Sequence, residues 1–585
     1  MAFEYWLKMS SNNFIFMILF VITILGVLIL YKLTYEKNKN PIEKLSSKVI
    51  VSRFQILALI LIFAVAIAVR VWRFGEVPAG MNQDGAMGAV DALALSQYGT
   101  DRFGMWLPAH LTAWGFGQMS ALLSYLTVPF IKIFGLSVIV ARLPLLLVSL
   151  ASLGVLYLFG TKLVNKNFGL ILLAFAAINP WQITQSRWAI DCNLFPHFLL
   201  FGMYFLYLGL KKTRYIFISM VFFGLSMYSY GVALYTVPIF LSVAFLYLLI
   251  TRSVKISHTI LAALTYILVS LPFLTVMFIN IFKLKTIYTP LVTMPFFPNS
   301  MRSNDILFFS TDITKQFIAN FNSFFNIAFL QRSDFIWNSM PEYATLYICS
   351  LPLIVFGMVM LFIKIFKKTE KNSENKLRKN GMFLVVSFFV AALACGLITN
   401  NVNINRINVV FYPLIIFAAY GIYELFRRIR FSLVIILVIF SVLFGSFTTA
   451  YFAPNEEFSR SFYSGFGKAL DYVQDMNYDR IYVTQNTQYE TATNVSEIMT
   501  MFFHEIDAKY FQGQKVMFDK QGKQLLPYVE RYNYVQFVAM QIDPNEKAVY
   551  VINNSELGFF NASKFEIKTF DYYSAIIPKI LLVRK

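Results

Sequence analysis

At 585 residues, with 58% of them hydrophobic and only 14% charged, the chain is too apolar for an ordinary soluble protein and needs lipid as part of its solvent. Its formal net charge of +19 sits in short basic clusters between apolar runs, the pattern of loops kept on the cytoplasmic side, which argues against a nucleic-acid partner. Three cysteines (Cys192, Cys349, Cys395) and four scattered histidines have neither metal-ligand nor disulfide spacing, so neither a zinc site nor a redox centre is indicated.

A helix crosses the roughly 30 Å bilayer core with about 20 apolar residues. In chain order the apolar runs predict twelve spans, at 14–31, 54–71, 141–162, 167–183, 194–210, 214–230, 232–250, 257–279, 345–365, 381–399, 408–426 and 431–450. The first is read as a retained helix, not a signal peptide, because its leading segment is barely basic and no small-residue cleavage site follows it. The run 119–136 is interrupted by Pro129 and Lys132, and is expected to lie at the membrane surface or half-buried. With twelve spans the clusters within 32–53, Lys162/Lys166, Lys211/Lys212/Arg214, Arg252/Lys255, Lys364 to Lys379 and Arg427/Arg428/Arg430 all fall on one side. Adding or dropping one span would throw the later clusters to the wrong face.

The parity divides the chain into an extra N-terminal helix with a basic linker (1–53), a polytopic α-helical membrane domain (54–450) and a tail (451–585) on the outer side. Loops 72–140, 184–193, 280–344 and 400–407 share that side. In the tail the charge density rises, and the β-rich runs 480–484, 533–540 and 548–552 alternate with plausible helices at 464–476 and 494–507. That pattern predicts a small extracytoplasmic α/β domain.

Ionisable groups at the membrane edge are costly and mark candidate sites. The first loop holds GMNQDGAMGAVDALALSQYGTDRFGMWLP (80–108), with Asp84 just beyond the second span. Asp84 can serve as a general base, or it can cap the helix starting near Gly85. The second loop adds Arg187 and Asp191 close to Trp181 and Trp188, the tryptophans being expected as interfacial anchors. Arg187 and Asp191 can form a simple surface pair, or join Asp84 in handling a phosphate and a hydroxyl nucleophile. Arg406, among the asparagines of 400–413, is either a snorkelling arginine or a lipid-phosphate clamp. The loop 280–344, aromatic-rich and carrying Asp305, Asp312 and Asp334, is expected to rest on the bilayer or to cover bound lipid.

In order, QDGAMGAVDALAL (83–95), the G-x-D-x-x-G-x-x-x-P pattern at Gly99, Asp101, Gly104 and Pro108, YLTVPFIKIFGLSVIVARLP (125–144), NPWQITQSRWAIDCNL (179–194) and NRINVVFYPLIIFAAYGIYEL (405–425) resemble one family. It is the polyprenyl-phosphate-sugar-dependent glycosyltransferases of the GT-C fold, in particular the bacterial relatives of protein O-mannosyltransferases and the lipid A aminoarabinose transferase. The resemblance runs through 54–210 and more weakly to 450. It implies two juxtamembrane helices in the first loop and a catalytic base at Asp84. Asp191 and Asp91 are implied as assisting the acceptor or a divalent cation, Mg or Mn.

The family's late arginine falls on Arg406. Its usual Asp-Glu is here Asp84-Gly85, and a lysine that holds donor phosphate in some relatives is replaced near 115–124 by Gln118. The phosphate contact is then expected from Arg187, Arg406, Lys132 or Gln118. The implied reaction is inverting transfer of a sugar from a polyprenyl-phosphate carrier to a hydroxyl of an envelope glycan, glycolipid or protein at the outer face of the cell membrane. The competing class is a lipid-linked sugar flippase or transporter. Against it, the ionisable groups gather at span ends, and no matched pair of broken helices is visible.

Overall fold

The computed structural model describes residues 43–578, apart from 115–116, 299–312, 331–333, 336, 341–342, 344, 368–372, 400–401, 430, 455–459, 488–492, 520 and 572. The expected span 14–31, Lys32, Lys37 and Lys39 of the basic cluster 32–53, Asp305 and Asp312 lie outside the described residues. The main helices of the membrane domain are α1 (Glu43–Val71), α2 (Gln83–Tyr98), α3 (Leu122–Phe134), α4 (Val138–Leu163), α5 (Lys166–Ala177), α6 (Phe195–Gly209) and α7 (Arg214–Ser226). They continue as α8 (Ala233–Ile250), α9 (Ile256–Ile281), α10 (Ile313–Phe329), α11 (Ser350–Phe366), α12 (Ser373–Leu397), α13 (Phe411–Arg428) and α14 (Ser432–Phe452).

Eight of these, α1, α4, α6, α8, α9, α12, α13 and α14, are long and apolar enough to cross a membrane, α6 and α13 together with the short turns before them. Three expected spans, 167–183, 214–230 and 345–365, are instead the shorter helices α5, α7 and α11. For the first of them the break is local. Asn179 accepts the N–H of Gln182 and Pro180 opens a new six-residue helix, so the α5 ladder cannot run on. Helix α3 has 13 residues, about 20 Å by helical rise, and is too short to span the core, in line with a surface helix at 119–136.

One end of the bundle gathers the loops. Asn408 donates to the Cys192 carbonyl at 2.5 Å, Gln185 to the Asn338 carbonyl at 3.0 Å, and Ala109 to the Thr293 carbonyl at 2.8 Å, so loops one to four interlock there. The opposite end holds basic groups. Lys364 and Arg427 meet Glu424 at 2.9 and 3.1 Å, and the Tyr207 hydroxyl bonds the Lys162 carbonyl. Between the ends the buried face of α13 is nearly continuous, and it packs on α11 so closely that a Cβ at Gly357 or Gly421 would enter the other helix's backbone.

The tail forms helices α15 (Ser464–Gln474) and α16 (Thr493–Phe503) and a five-stranded mixed sheet. Its strands are β1 (Arg480–Thr484), β2 (Tyr532–Val535), β3 (Ala548–Asn553), β4 (Phe565–Phe570) and β5 (Tyr573–Pro578), in spatial order β4-β5-β3-β1-β2. The pairs β1–β2 and β1–β3 are parallel, while β3–β5 and β4–β5 are antiparallel. The run expected at 533–540 is therefore shorter, and the hairpin 565–578 is additional. Methionines, valines and phenylalanines from α2, α15, α16 and the sheet share one buried cluster, which fixes the tail to the first loop.

Candidate active site at the first and second loops

Helix α2 begins because the Asn82 side chain accepts the N–H of Asp84 at 3.1 Å, and ends at Gly99, whose left-handed φ of 71° closes the last turn on the Leu95 carbonyl. Capping is thus the work of Asn82, not of Asp84, whose half-buried carboxylate sits in the first turn, where the helix dipole favours negative charge. Asp191 opens a one-turn 3-10 helix, its carboxylate accepting the N–H of Cys192 at 2.7 Å and of Ser120 at 3.2 Å. Asp84 and Asp191 line one narrow cleft, part of it open to the outside, with Gly88, Ser120, Ser124 and Thr127. Two carboxylates beside three hydroxyls suit the handling of a hydroxyl nucleophile and its proton.

Arg406 is half-buried on the short helix Ile404–Ile407, close behind the second loop through the Asn408–Cys192 bond, but it does not line this cleft. Asp334 holds that helix in place, accepting the N–H of Ile404 at 2.6 Å. Burial pushes the Asp334 carboxyl up from its ordinary value, against the pull of these N–H donors. Lys132 is exposed in the last turn of α3. Gln118 lies in a short strand paired with Thr112, and its buried Nε2 has no hydrogen-bond partner among the described residues.

Arg187 is fully buried, and its guanidinium donates to the carbonyls of Val69, Arg70, Trp72, Arg73 and Val77. Every donor nitrogen is occupied, so the expected phosphate contact has no donor left; the side chain instead holds the turn between α1 and α2. Arg142, which the sequence reading did not single out, does the same for Pro78 and Gly80 at 3.0 and 2.6 Å. Trp181 and Trp188 are corrected from interfacial anchors to core residues, packed on Phe411 and Tyr412 and on Phe462 respectively. Their rings fill the junction of loops, where protein rather than lipid surrounds them.

Asp91 is buried against Arg102, Nη1 to Oδ2 at 2.5 Å, and does not line the Asp84 cleft. Arg102 reaches it because Asp101 Oδ1 accepts the N–H of Phe103 and Met105, folding the G-x-D-x-x-G segment into a tight turn with Gly104 at φ 87°. Burial raises the Asp91 carboxyl while the Arg102 charge opposes the rise. The Asp101 carboxyl is pushed up to about 7, by burial first and by the neighbouring Asp91 charge second.

No group of three or more His, Cys, Asp or Glu side chains that could hold a metal is found among the described residues. Magnesium is often held by only one or two carboxylates plus waters and substrate phosphate, and the Asp84–Asp191 pair fits that donor set.

Residues 118–276 match the family described as dolichyl-phosphate-mannose-protein mannosyltransferase. No curated protein sequence matches the chain. Among solved structures, ArnT from Cupriavidus metallidurans, bound to undecaprenyl phosphate, is similar at a TM-score of 0.51 and 13% identity, over 90% of this chain and 98% of that one. The oligosaccharyltransferase of Archaeoglobus fulgidus is similar at a TM-score of 0.50 and 12% identity, over 76% of this chain and 64% of that one. The chain thus shares the GT-C fold of these solved structures, and its residues 118–276 resemble the mannosyltransferase family.

One departure from the GT-C pattern has a packing cause. A Cβ at Gly85 would penetrate the Ala189 carbonyl oxygen and press within 3.0 Å of Met81 Cε. Glutamate cannot stand at 85 while the second loop lies this close, and the close approach is what brings Asp191 to the Asp84 cleft. The position at which the resemblance implies a second acidic group is used here for contact between loops.

Proposed function

We propose that the protein transfers one sugar from a polyprenyl-phosphate carrier to a hydroxyl of an envelope acceptor at the outer face of the membrane, with inversion and with Asp84 as general base. The observation that carries this reading is the single cleft lined by Asp84, Asp191, Ser120 and Ser124, in a chain with the GT-C fold. The acceptor oxygen attacks the anomeric carbon from the face opposite the phosphate while Asp84 takes its proton. The bond from that carbon to the phosphate oxygen breaks, and its electron pair leaves with polyprenyl phosphate, so no general acid is required. Asp191, anchored by two backbone N–H groups, orients the acceptor hydroxyl. A magnesium or manganese ion, if bound by Asp84 and Asp191, would neutralise the leaving phosphate. Carrier binding by the ArnT neighbour supports the class of donor.

The test uses the full chain and a radiolabelled polyprenyl-phosphate sugar. Asp84→Asn is expected to lower transfer about a hundredfold or more with thermal unfolding unchanged. Undiminished transfer removes Asp84 as base, and carrier movement without sugar release turns the reading to a flippase.

A further inference from the structure

A second hollow, of about 80 Å³ and continuing into open solvent, lies where the tail meets the first loop. Helix α2 carries both sites, since Met87 lines this cavity while Asp84 and Gly88 line the cleft. The opposite wall is one face of α16, with Asn494, Glu497, Ile498 and Met501 at helical spacing. Three rings complete the lining: Phe103, 43% exposed, and the half-buried Trp114 and Phe511. Trp114 has a left-handed φ of 56°, its N–H directed to Met87 Sδ at 3.4 Å, a backbone posture costly for an aromatic residue.

The charges decide what such a cavity accepts. Arg102 Nη1 is committed to Asp91 and Nη2 to the Thr112 carbonyl at 2.8 Å, and its guanidinium lies 4.6 Å over the Phe103 ring, so it offers an anion little. The remaining ionisable lining group is Glu497, which repels anions. Its carboxylate receives only one long bond, from the Tyr528 hydroxyl at 3.4 Å, and the amide of exposed Asn494 makes none. A carboxylate and an amide with unspent capacity, between ring surfaces, match a ligand with many hydroxyls and apolar C–H faces.

We propose that this cavity binds a neutral oligosaccharide, its hydroxyls on Glu497 and Asn494 and its ring faces on Trp114 and Phe103. Its place beside the Asp84 cleft makes that saccharide the glycan part of the acceptor, an assignment that rests on the transferase reading given above. Binding itself does not depend on that reading.

The full-length protein in nanodiscs is titrated with maltotriose, mannotriose and N-acetylchitotriose, with a Ser/Thr-rich peptide and polyphosphate alongside, by saturation-transfer NMR. At least one saccharide is expected to bind, about tenfold more weakly to Glu497→Gln and to Asn494→Ala, and equally to Asp84→Asn. Asn494 is exposed and unbonded, so its alanine variant keeps the fold. Binding by no saccharide, equal binding by wild type and both pocket variants, or preference for the peptide or polyphosphate would each overturn the proposal. Asp84-dependent transfer without saccharide binding removes the pocket and leaves the transferase. Saccharide binding with transfer unaffected by Asp84→Asn does the reverse.

Discussion

Gly85→Ala adds one methyl group where α2 touches the second loop. That carbon would lie inside the Ala189 carbonyl oxygen and 3.0 Å from Met81 Cε, and backbone carbonyls do not yield as a side-chain tip does. Restoring an ordinary C···O separation of about 3.3 Å requires the two segments to part by about 1 Å. Asp191 is two residues from Ala189, so the displacement passes into the cleft. A misplacement of about 1 Å costs about a hundredfold in rate, roughly 2.7 kcal/mol of barrier, and overpacking costs about 1–3 kcal/mol of stability. Gly88→Ala is the control. Its Cβ would meet the Ser124 Oγ at 3.3 Å, which can rotate away, and Met119 Cε at an ordinary 3.7 Å. The assay is transfer of labelled sugar from polyprenyl phosphate by both variants, with thermal unfolding followed in parallel. Gly85→Ala working as well as wild type, or worse only in proportion to Gly88→Ala, would refute the claim that contact between loops sets the carboxylate geometry.

Arg102→Met is expected to cost about 3–5 kcal/mol of stability by leaving Asp91 charged and buried, and Asp91→Asn combined with it to recover most of that loss, as read by thermal unfolding. The Asp101 carboxyl, at about 7 in the fold against about 3.9 unfolded, binds its proton more tightly when folded. Its contribution to stability is therefore complete below about pH 4 and lost as the pH rises through about 7. Asp101→Asn keeps an acceptor for Phe103 and Met105, and is expected to flatten the unfolding temperature between about pH 5 and 8. Asp334→Ala removes the carboxylate that anchors Ile404. Faster hydrogen exchange across 402–408 is expected, from an anchor worth about 1–3 kcal/mol, and unchanged exchange counts against it.

Much of this architecture is legible in periodicity and charge, because a membrane leaves few ways to satisfy a backbone. Asp84 and Asp191 could be placed on one side by counting basic clusters, and the structure brings them to one cleft. What hydropathy cannot separate is a spanning helix from two short ones. The Asn179–Pro180 break inside 167–183 is a capping event within an apolar run, and a window about 20 residues wide averages it away. The hairpin 565–578 escaped for the opposite reason, since FEIKTF mixes polar and apolar residues without a long apolar run. The role of Gly85 was invisible because its reason lies a hundred residues away, in a carbonyl that every sequence possesses at position 189.

The same blindness to backbone carbonyls explains the arginines and narrows the search for the donor's phosphate contact. A buried guanidinium without a carboxylate beside it reads, in sequence, as an anion site. Arg70, Arg142 and Arg187 are all fully buried, and in each the recorded hydrogen bonds go to main-chain carbonyls or an amide side chain. Together Arg142 and Arg187 fix the turn 72–80, and through it the start of the helix that carries Asp84; their charge is spent on positioning. A phosphate entering the cleft must then be met by groups with capacity left. Gln118 is such a group, with a buried Nε2 lacking a partner among the described residues, on the strand that ends one residue before Ser120, whose N–H binds Asp191. Under the proposed transfer, an amide there supplies a directed donor without a charge, and neutralising the leaving phosphate would fall to a cation held by the two aspartates that line the cleft.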